Sequence, residues 1–466
     1  MAGLVFVVSL AYYWVLAAKN WTWAFVSMDS GDWLSAVLYD MTPHPYGSPI
    51  YILLGKLLNI LPFDIVDSMT IGLSVIPAAV TVTLVYLIVK RYSPKSALIT
   101  AGVVLGSAVL LTQATVLESY SLTVMLITAA IYFYDRKKMW LLCLGLATGI
   151  HVIAGIITLI WLVIDWRKWR EWLPATWIFV LAGLVPYLHT LWTMTLDTPK
   201  LFGGGLSFDG IMAYLGGTDR IGTMAVVDAP QRLFQFASVL LASLGLAIIP
   251  LIKGYQARRE LAIGTITTSI ILLSIFLYIT NLDSTTWTYL LFGLPFMAVY
   301  IGHGLAKMTV VQVKAVAVGA LLLLNVNAFY LNANTQEPLA MEYYAAIRAL
   351  PDGAAVLIPS GSTTGSGFYY AGDGKGLIPI ITNAHTHNVN YDTYIEQVNR
   401  LYPISGDTTL ELAYSALEQG IPLYFAGIVN PLWLKAFEIS GDGPVYRVLS
   451  VNLNPEWTED EIQTYG

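Results

Sequence analysis

Between Arg136 and Lys168 the chain reads RKKMWLLCLGLATGIHVIAGIITLIWLVIDWRK, an apolar stretch closed at each end by a basic cluster. A bilayer core takes about 20 helical residues per crossing, so Met139 to Asp165 is too short for two full crossings. A single crossing would put basic clusters on both sides of the membrane, against the preference of Lys and Arg for the cytoplasmic side. Two short helices meeting near Ile150 and His151 keep both clusters inside, and this reading fixes the parity of every other crossing.

Working outward, further apolar runs lie near 2–18, 68–89, 96–112, 120–134, 173–192, 233–252, 261–280, 286–304 and 313–331. Basic residues gather between them at Lys90-Arg91 with Lys95, at Lys253 with Arg258-Arg259, and at Lys307 with Lys314. With Met1 cytoplasmic, the chain crosses eleven times and its tail lies outside. The cytoplasmic loops then hold 14 basic and 4 acidic residues, and the outer loops 5 and 11. An uncleaved first helix is expected over a signal peptide, because no basic segment precedes it.

Composition agrees with a membrane protein. Of 466 residues, 56% are hydrophobic and 12% charged, with a mean hydropathy of +0.64, where a soluble domain carries about 25% charge. These values exclude a soluble enzyme, a disordered scaffold and a nucleic-acid binder. The net charge of −6 is uneven: 19 basic and 15 acidic residues up to Asn332, then 5 and 15 to Gly466. The expected organisation is therefore a transmembrane domain over 1–332 and an extracytoplasmic α/β domain over 333–466. In the latter, β-like runs at 354–358, 377–382, 422–426 and 445–451 alternate with helix-like stretches at 338–349, 391–402 and 408–419. The single cysteine, Cys143, supports neither a disulfide nor a thiolate metal site, and neither a metal nor a cofactor is expected.

The outer loop 19–67 should carry two interfacial helices, Ser30–Asp40 and Ser48–Leu61, joined by Pro43-His44-Pro45-Tyr46-Gly47-Ser48-Pro49. A second outer loop, 193–232, is rich in glycine and expected to be mobile. Ionisable groups at a membrane surface are costly and point to function. Asp29-Ser30-Gly31-Asp32 follows the first span and sets two carboxylates on one helical face, unless Asp29 or Ser30 serves only as a helix cap. The topology brings Glu118, Tyr120, His151, His44 and Asp283 to the same outer level. Each alone has a structural reading, but together they define an outward-facing site at the lipid interface. The Gly361–Gly367 loop lacks the Lys of a phosphate loop, and His385 and His387 lack a third metal ligand.

Asp29-Ser30-Gly31-Asp32 followed by His44-Pro45-Tyr46-Gly47-Ser48-Pro49-Ile50-Tyr51 resembles the Asp-Ser-Gly-Glu and His-Pro-Pro-Gly-Tyr-Pro-Leu-Tyr signature of the protein O-mannosyltransferase-like family of GT-C membrane glycosyltransferases. Glu118-Ser119-Tyr120 is similar to that family's Glu-Val-Tyr, and Gly149-Ile150-His151 to its Gly-Asn-His. Asp283 near Tyr289, and Ala345–Ile358, are similar to its later landmarks. Tyr46, Ser48 and Ile150 depart from the pattern. The resemblance implies a GT-C-type polytopic helical fold in the cell membrane and a polyprenyl- or dolichyl-phosphate-linked sugar donor. It also implies one catalytic carboxylate, Asp29, which as general base would take a proton from an acceptor hydroxyl on a protein or glycan and invert the anomeric centre. Arg220 is the expected partner of the leaving phosphate, with an ion pair to Asp219 as its alternative. Asp32, His44, Tyr46, Glu118, Tyr120, His151 and Asp283 are expected to hold substrate. A silent relative that binds a partner, and a transporter, are the competing readings.

Overall fold

The computed structural model describes residues 1–20, 30–40, 48–193, 225–257, 262–280, 286–333, 345–358, 375–381, 399, 403–406, 408–426, 431–441 and 445–456. They fall into two compact units. The first comprises Met1–Trp21, Ser48–Thr190 and Gly216–Thr335, and the second Thr22–Gly47, Leu191–Leu215 and Gln336–Gly466.

The helices in chain order are α1 (Ala2–Asn20), α2 (Ser30–Tyr39), α3 (Pro49–Leu58), α4 (Ile65–Tyr92), α5 (Pro94–Leu105), α6 (Ala108–Ala114) and α7 (Tyr120–Tyr132). They continue with α8 (Lys137–Ile150), α9 (Val152–Ile164), α10 (Trp166–Thr193), α11 (Ala225–Leu244), α12 (Ile248–Ala257), α13 (Ala262–Thr280), α14 (Leu294–Leu305) and α15 (Val310–Ala333). A 3-10 segment, Thr286–Gly293, leads into α14. Each of the eleven apolar stretches read as a crossing is helical. Among the described residues, five helical stretches are long and apolar enough by themselves to cross a membrane, and α5 with α6 makes a sixth if that bent pair counts as one span. The chain is a polytopic helical membrane protein.

Local chemistry explains the irregularities. Asp64 caps α4 by accepting from the Val66 and Asp67 N–H groups at 2.8 and 3.3 Å. The same helix widens into a π turn over Thr70–Val75. Pro77, just beyond, has no N–H to give the Leu73 carbonyl, so the regular ladder cannot be kept there. The run 96–112 reads as one straight span, but the structure breaks it at Gly106-Ser107 with a 60° bend. The cause lies far along the chain. Asn327 Nδ2 donates to the Gly106 and Ala242 carbonyls at 2.7 and 2.8 Å, and a Cβ on Gly106 would sit 3.0 Å from the Leu324 backbone. Tyr13 OH donates to the Leu105 carbonyl at 3.1 Å, so carbonyls released by the break are met by side chains.

Glycines set the closest helix contacts. A Cβ on Gly145 of α8 would lie 2.9 Å from the Phe179 carbonyl oxygen of α10, and one on Gly183 would lie 2.7 Å from the Gly145 oxygen. On α12 and α14 the approach is closer and reciprocal: a Cβ on Gly254 would collide with the Tyr300 carbonyl, and one on Gly304 with the Pro250 carbonyl.

The second unit contains α2, whose Trp33, Leu34, Ala36 and Val37 are buried, and a five-stranded sheet. Its strands are β1 (Ala355–Ile358), β2 (Ile378–Ile381), β3 (Leu423–Ala426), β4 (Phe437–Ser440) and β5 (Val445–Val451), in the order β2-β1-β3-β5-β4. Strands β1, β2 and β3 are parallel, with Leu357 opposite both Ile380 and Phe425; β5 runs antiparallel to β3 and β4. Helix α16 (Thr409–Glu418) starts at the N-cap Thr408, whose Oγ1 accepts from the Glu411 N–H at 3.2 Å. Its Leu412, Ala413 and Ala416 join Leu357, Ile380 and Phe425 in the core. Four strands match the apolar runs expected. Strand β4 was not among them, and the helix-like stretch 391–402 lies, apart from residue 399, outside the described residues.

Candidate functional site

The α8–α9 hairpin turns at His151, which is 7% exposed. Its N–H closes α8 on the Ala147 carbonyl at 2.9 Å. Its extended backbone starts α9 as the N-cap, with Nδ1 accepting from Ile153 N–H at 3.2 Å. A nitrogen that accepts cannot carry a proton, so the ring is a neutral imidazole protonated at Nε2. Gly149 makes room beside it, for a Cβ there would meet Ile50 of α3 at 2.5 Å and the Gly183 carbonyl at 3.2 Å.

Around this imidazole stand aromatic rings from two other elements. Tyr120, the first residue of α7, has its ring 5.1 Å from that of His151. Phe292 lies 5.3 Å from His151 and 5.9 Å from Tyr120. Tyr289 is 6.4 Å from each. Phe292 is fully buried, whereas Tyr120 and Tyr289 are half-buried.

Two residues before Tyr120, Glu118 is 1% exposed. Its N–H and C=O both meet Ser74 Oγ at 3.4 Å, tying the α6–α7 link to the π turn of α4. Tyr51 of α3 belongs to the same neighbourhood: burial first, and then the Glu118 carboxylate, push its phenol well above the ordinary tyrosine range. The structure thus brings Tyr120 and His151 together beside Tyr289 and Phe292, and sets Glu118 beside Tyr51 and Ser74. Together these residues offer neutral hydrogen-bonding groups, ring faces and one buried acidic side chain. They suit a ligand with hydroxyls and an apolar body.

Of the other residues expected at the site, Asp29, His44, Tyr46, Arg220 and Asp283 lie outside the described residues, as do Gly361–Gly367, His385 and His387. Asp32 lies on α2, in the second unit, with its side chain outside the description. Tyr51, Ser74 and Phe292 were not foreseen. Tyr51 ends the signature-like segment and carried a signal, whereas Ser74 and Phe292 sit unmarked in apolar runs. Among the described residues no three His, Cys, Asp or Glu side chains converge as a metal site would require.

No protein-family model matches the chain, and no curated protein matches its sequence. Solved structures do match its shape. ArnT from Cupriavidus metallidurans in the apo state is 12% identical with a TM-score of 0.62, the match covering 96% of this chain and 97% of that one. ArnT from the same organism bound to undecaprenyl phosphate gives 12% identity, a TM-score of 0.63 and the same coverage. The chain therefore has the GT-C-type membrane fold, over nearly its whole length, with a C-terminal sheet region.

Proposed function

We propose that the chain is a membrane glycosyltransferase, of the O-mannosyltransferase-like kind, that moves a sugar from a polyprenyl- or dolichyl-phosphate donor to an acceptor hydroxyl on a protein or glycan. The observation that carries this reading is the full-length likeness in fold to ArnT bound to undecaprenyl phosphate. A lipid-borne donor also suits a polytopic helical unit, since its tail stays in the bilayer while phosphate and sugar reach the surface.

In this reading Asp29 is the general base: it takes the acceptor proton as that oxygen attacks the anomeric carbon and the lipid phosphate departs, with inversion. Arg220 stabilises the departing phosphate. Asp32, His44, Tyr46 and Asp283 contribute to the donor site. The neutral His151, its ring tilted against that of Tyr120, gives an Nε2–H to a sugar or phosphate oxygen, and Glu118 orients hydroxyls. The membrane domain spans 1–332 and the α/β domain 333–466. The loop charges put Met1 in the cytoplasm and the α/β domain outside the cell membrane.

The test is incubation of purified protein with a panel of polyprenyl-phosphate sugars and of hydroxyl-bearing peptide and glycan acceptors, read as released lipid phosphate. Release is expected with one of them, and Asp29→Asn should slow it by at least about a hundredfold while the protein stays folded. Near-normal turnover in that variant would move the role to Asp32, and no release from any donor would end the enzyme reading.

A further inference from the structure

The end of the α8–α9 hairpin remote from His151 has a different chemistry. The two helices are 14 and 13 residues long, about 20 Å at 1.5 Å per residue, so this end is well separated from the site above. Asp165, 6% exposed, accepts from Tyr134 OH at 2.6 Å and pairs with Lys137 at 3.4 Å and Lys168 at 3.8 Å. Its carbonyl accepts from Trp172 Nε1 at 3.4 Å. Both lysines also lie over rings: Lys137 is 3.7 Å from the Tyr134 centroid and 4.9 Å from that of Trp140, and Lys168 is 5.2 Å from Tyr134.

This knot leaves a surplus of positive charge. Six basic residues over 135–172 face three acids, and Arg136, Lys138, Arg167 and Arg170 are exposed. Trp166 and Trp169 are 62% and 38% exposed and stack on each other at 6.5 Å. The apolar Leu159 and Val163, in the part of α9 that leads to this end, and Leu173 and Trp177, in the part of α10 that leaves it, are exposed too. Apolar side chains bared beside exposed indoles and then cations reproduce the order of a lipid leaflet: acyl chain, interface, headgroup.

We propose that this collar, built on Arg167, Lys168 and Arg170 with Trp166 and Trp169, is a binding surface for the phosphodiester headgroups of anionic phospholipids. Lys168 is fixed by Tyr134, whose OH it meets at 3.1 Å, yet remains half exposed. It is thus held ready beside the two arginines at little further cost in side-chain order. The inference does not rest on the transferase reading and holds for a silent protein equally.

The experiment uses the full-length protein reconstituted in phosphatidylcholine vesicles containing phosphatidylglycerol, then extracted in mild detergent and weighed with its retained lipids by native mass spectrometry. The double variant Arg167→Gln, Arg170→Gln should retain about thirtyfold less phosphatidylglycerol than the wild type, because it removes both guanidinium groups of the collar that the exposed indoles hold at the headgroup level. The variant Lys90→Gln, Lys95→Gln, in another basic loop, should retain the wild-type amount. Equal retention in all three proteins, or an equal loss in both variants, overturns the proposal. A second measurement serves if the arginine variant does not fold. Brominated phosphatidylglycerol should quench wild-type tryptophan emission more than brominated phosphatidylcholine does at equal mole fraction, and Trp166→Phe, Trp169→Phe should abolish the excess. An excess unchanged in that variant also overturns it.

Discussion

The two ends of one short hairpin solve the same problem in opposite ways. At the His151 end, a polar group 7% exposed is made tolerable by neutrality: its Nδ1 takes a backbone N–H, and rings surround it. At the Asp165 end, an equally buried carboxylate is met by two ammonium groups and a phenol. Burying an unpaired charge costs several kcal/mol, and burying a hydrogen-bonded neutral group costs little. The contrast teaches where function fits: the neutral end can accept a ligand without undoing an ion pair, whereas the charged end can only add charge at its rim.

That contrast can be broken by removing each device in turn. Asp165→Ala strands Lys137, which is 13% exposed, and should cost about 3 kcal/mol in denaturant unfolding in detergent, a value near the lower end for a broken buried pair because Lys168 is half in solvent. A loss below about 1 kcal/mol would mean the knot is ornamental. His151→Ala should cost about 1–2 kcal/mol, the worth of a helix cap, while His151→Asn restores the cap and most of that stability. If, as proposed, the imidazole meets the phosphate of a polyprenyl lipid, undecaprenyl phosphate should raise the unfolding temperature of the wild type but not of His151→Asn; equal shifts would reduce His151 to a cap. Tyr134→Phe, which deletes the phenol bonded to Asp165, should cost about 1 kcal/mol near neutrality.

The tyrosine also sharpens the comparison through pH. Burial first, then the Asp165 hydrogen bond, push the Tyr134 phenol up to about 12, so the folded state holds that proton more tightly than the unfolded chain does. Its contribution is full below about pH 10, the ordinary tyrosine value, and is lost as pH rises towards 12. The wild type should therefore lose more stability than Tyr134→Phe over pH 10 to 12, and parallel curves would contradict this.

Much of the fold was legible because membrane spans announce themselves locally. The basic clusters alone placed the turn of the α8–α9 hairpin at His151, and the apolar runs of β1, β2, β3 and β5 marked four strands. The break at Gly106-Ser107 was not legible, because the groups that stabilise it, Asn327 and Leu324, lie more than 200 residues away. Strand β4 escaped since Phe437-Glu438-Ile439-Ser440 follows the short helix Pro431–Ala436 without a turn signal and is defined by its pairing with β5. At the site, Glu118, Tyr120 and His151 stood out as polar residues at span ends. Ser74 and Phe292 did not, because a lone serine or phenylalanine in an apolar helix looks like packing until a partner from another helix arrives.

The mutual burial of Gly254 and Gly304 on α12 and α14 has a mechanical consequence. Lipid supplies no hydrophobic force to hold two helices together, so contact must come from backbones that touch. Each glycine is seated on a carbonyl of the other helix, and sliding by even one residue would drive a Cβ-bearing neighbour into that carbonyl. The pair is keyed like a ratchet tooth in its notch, able to tilt as one body but not to shear. Whatever travel the protein makes during its working cycle has to be taken up at other joints, with these two helices as the stator.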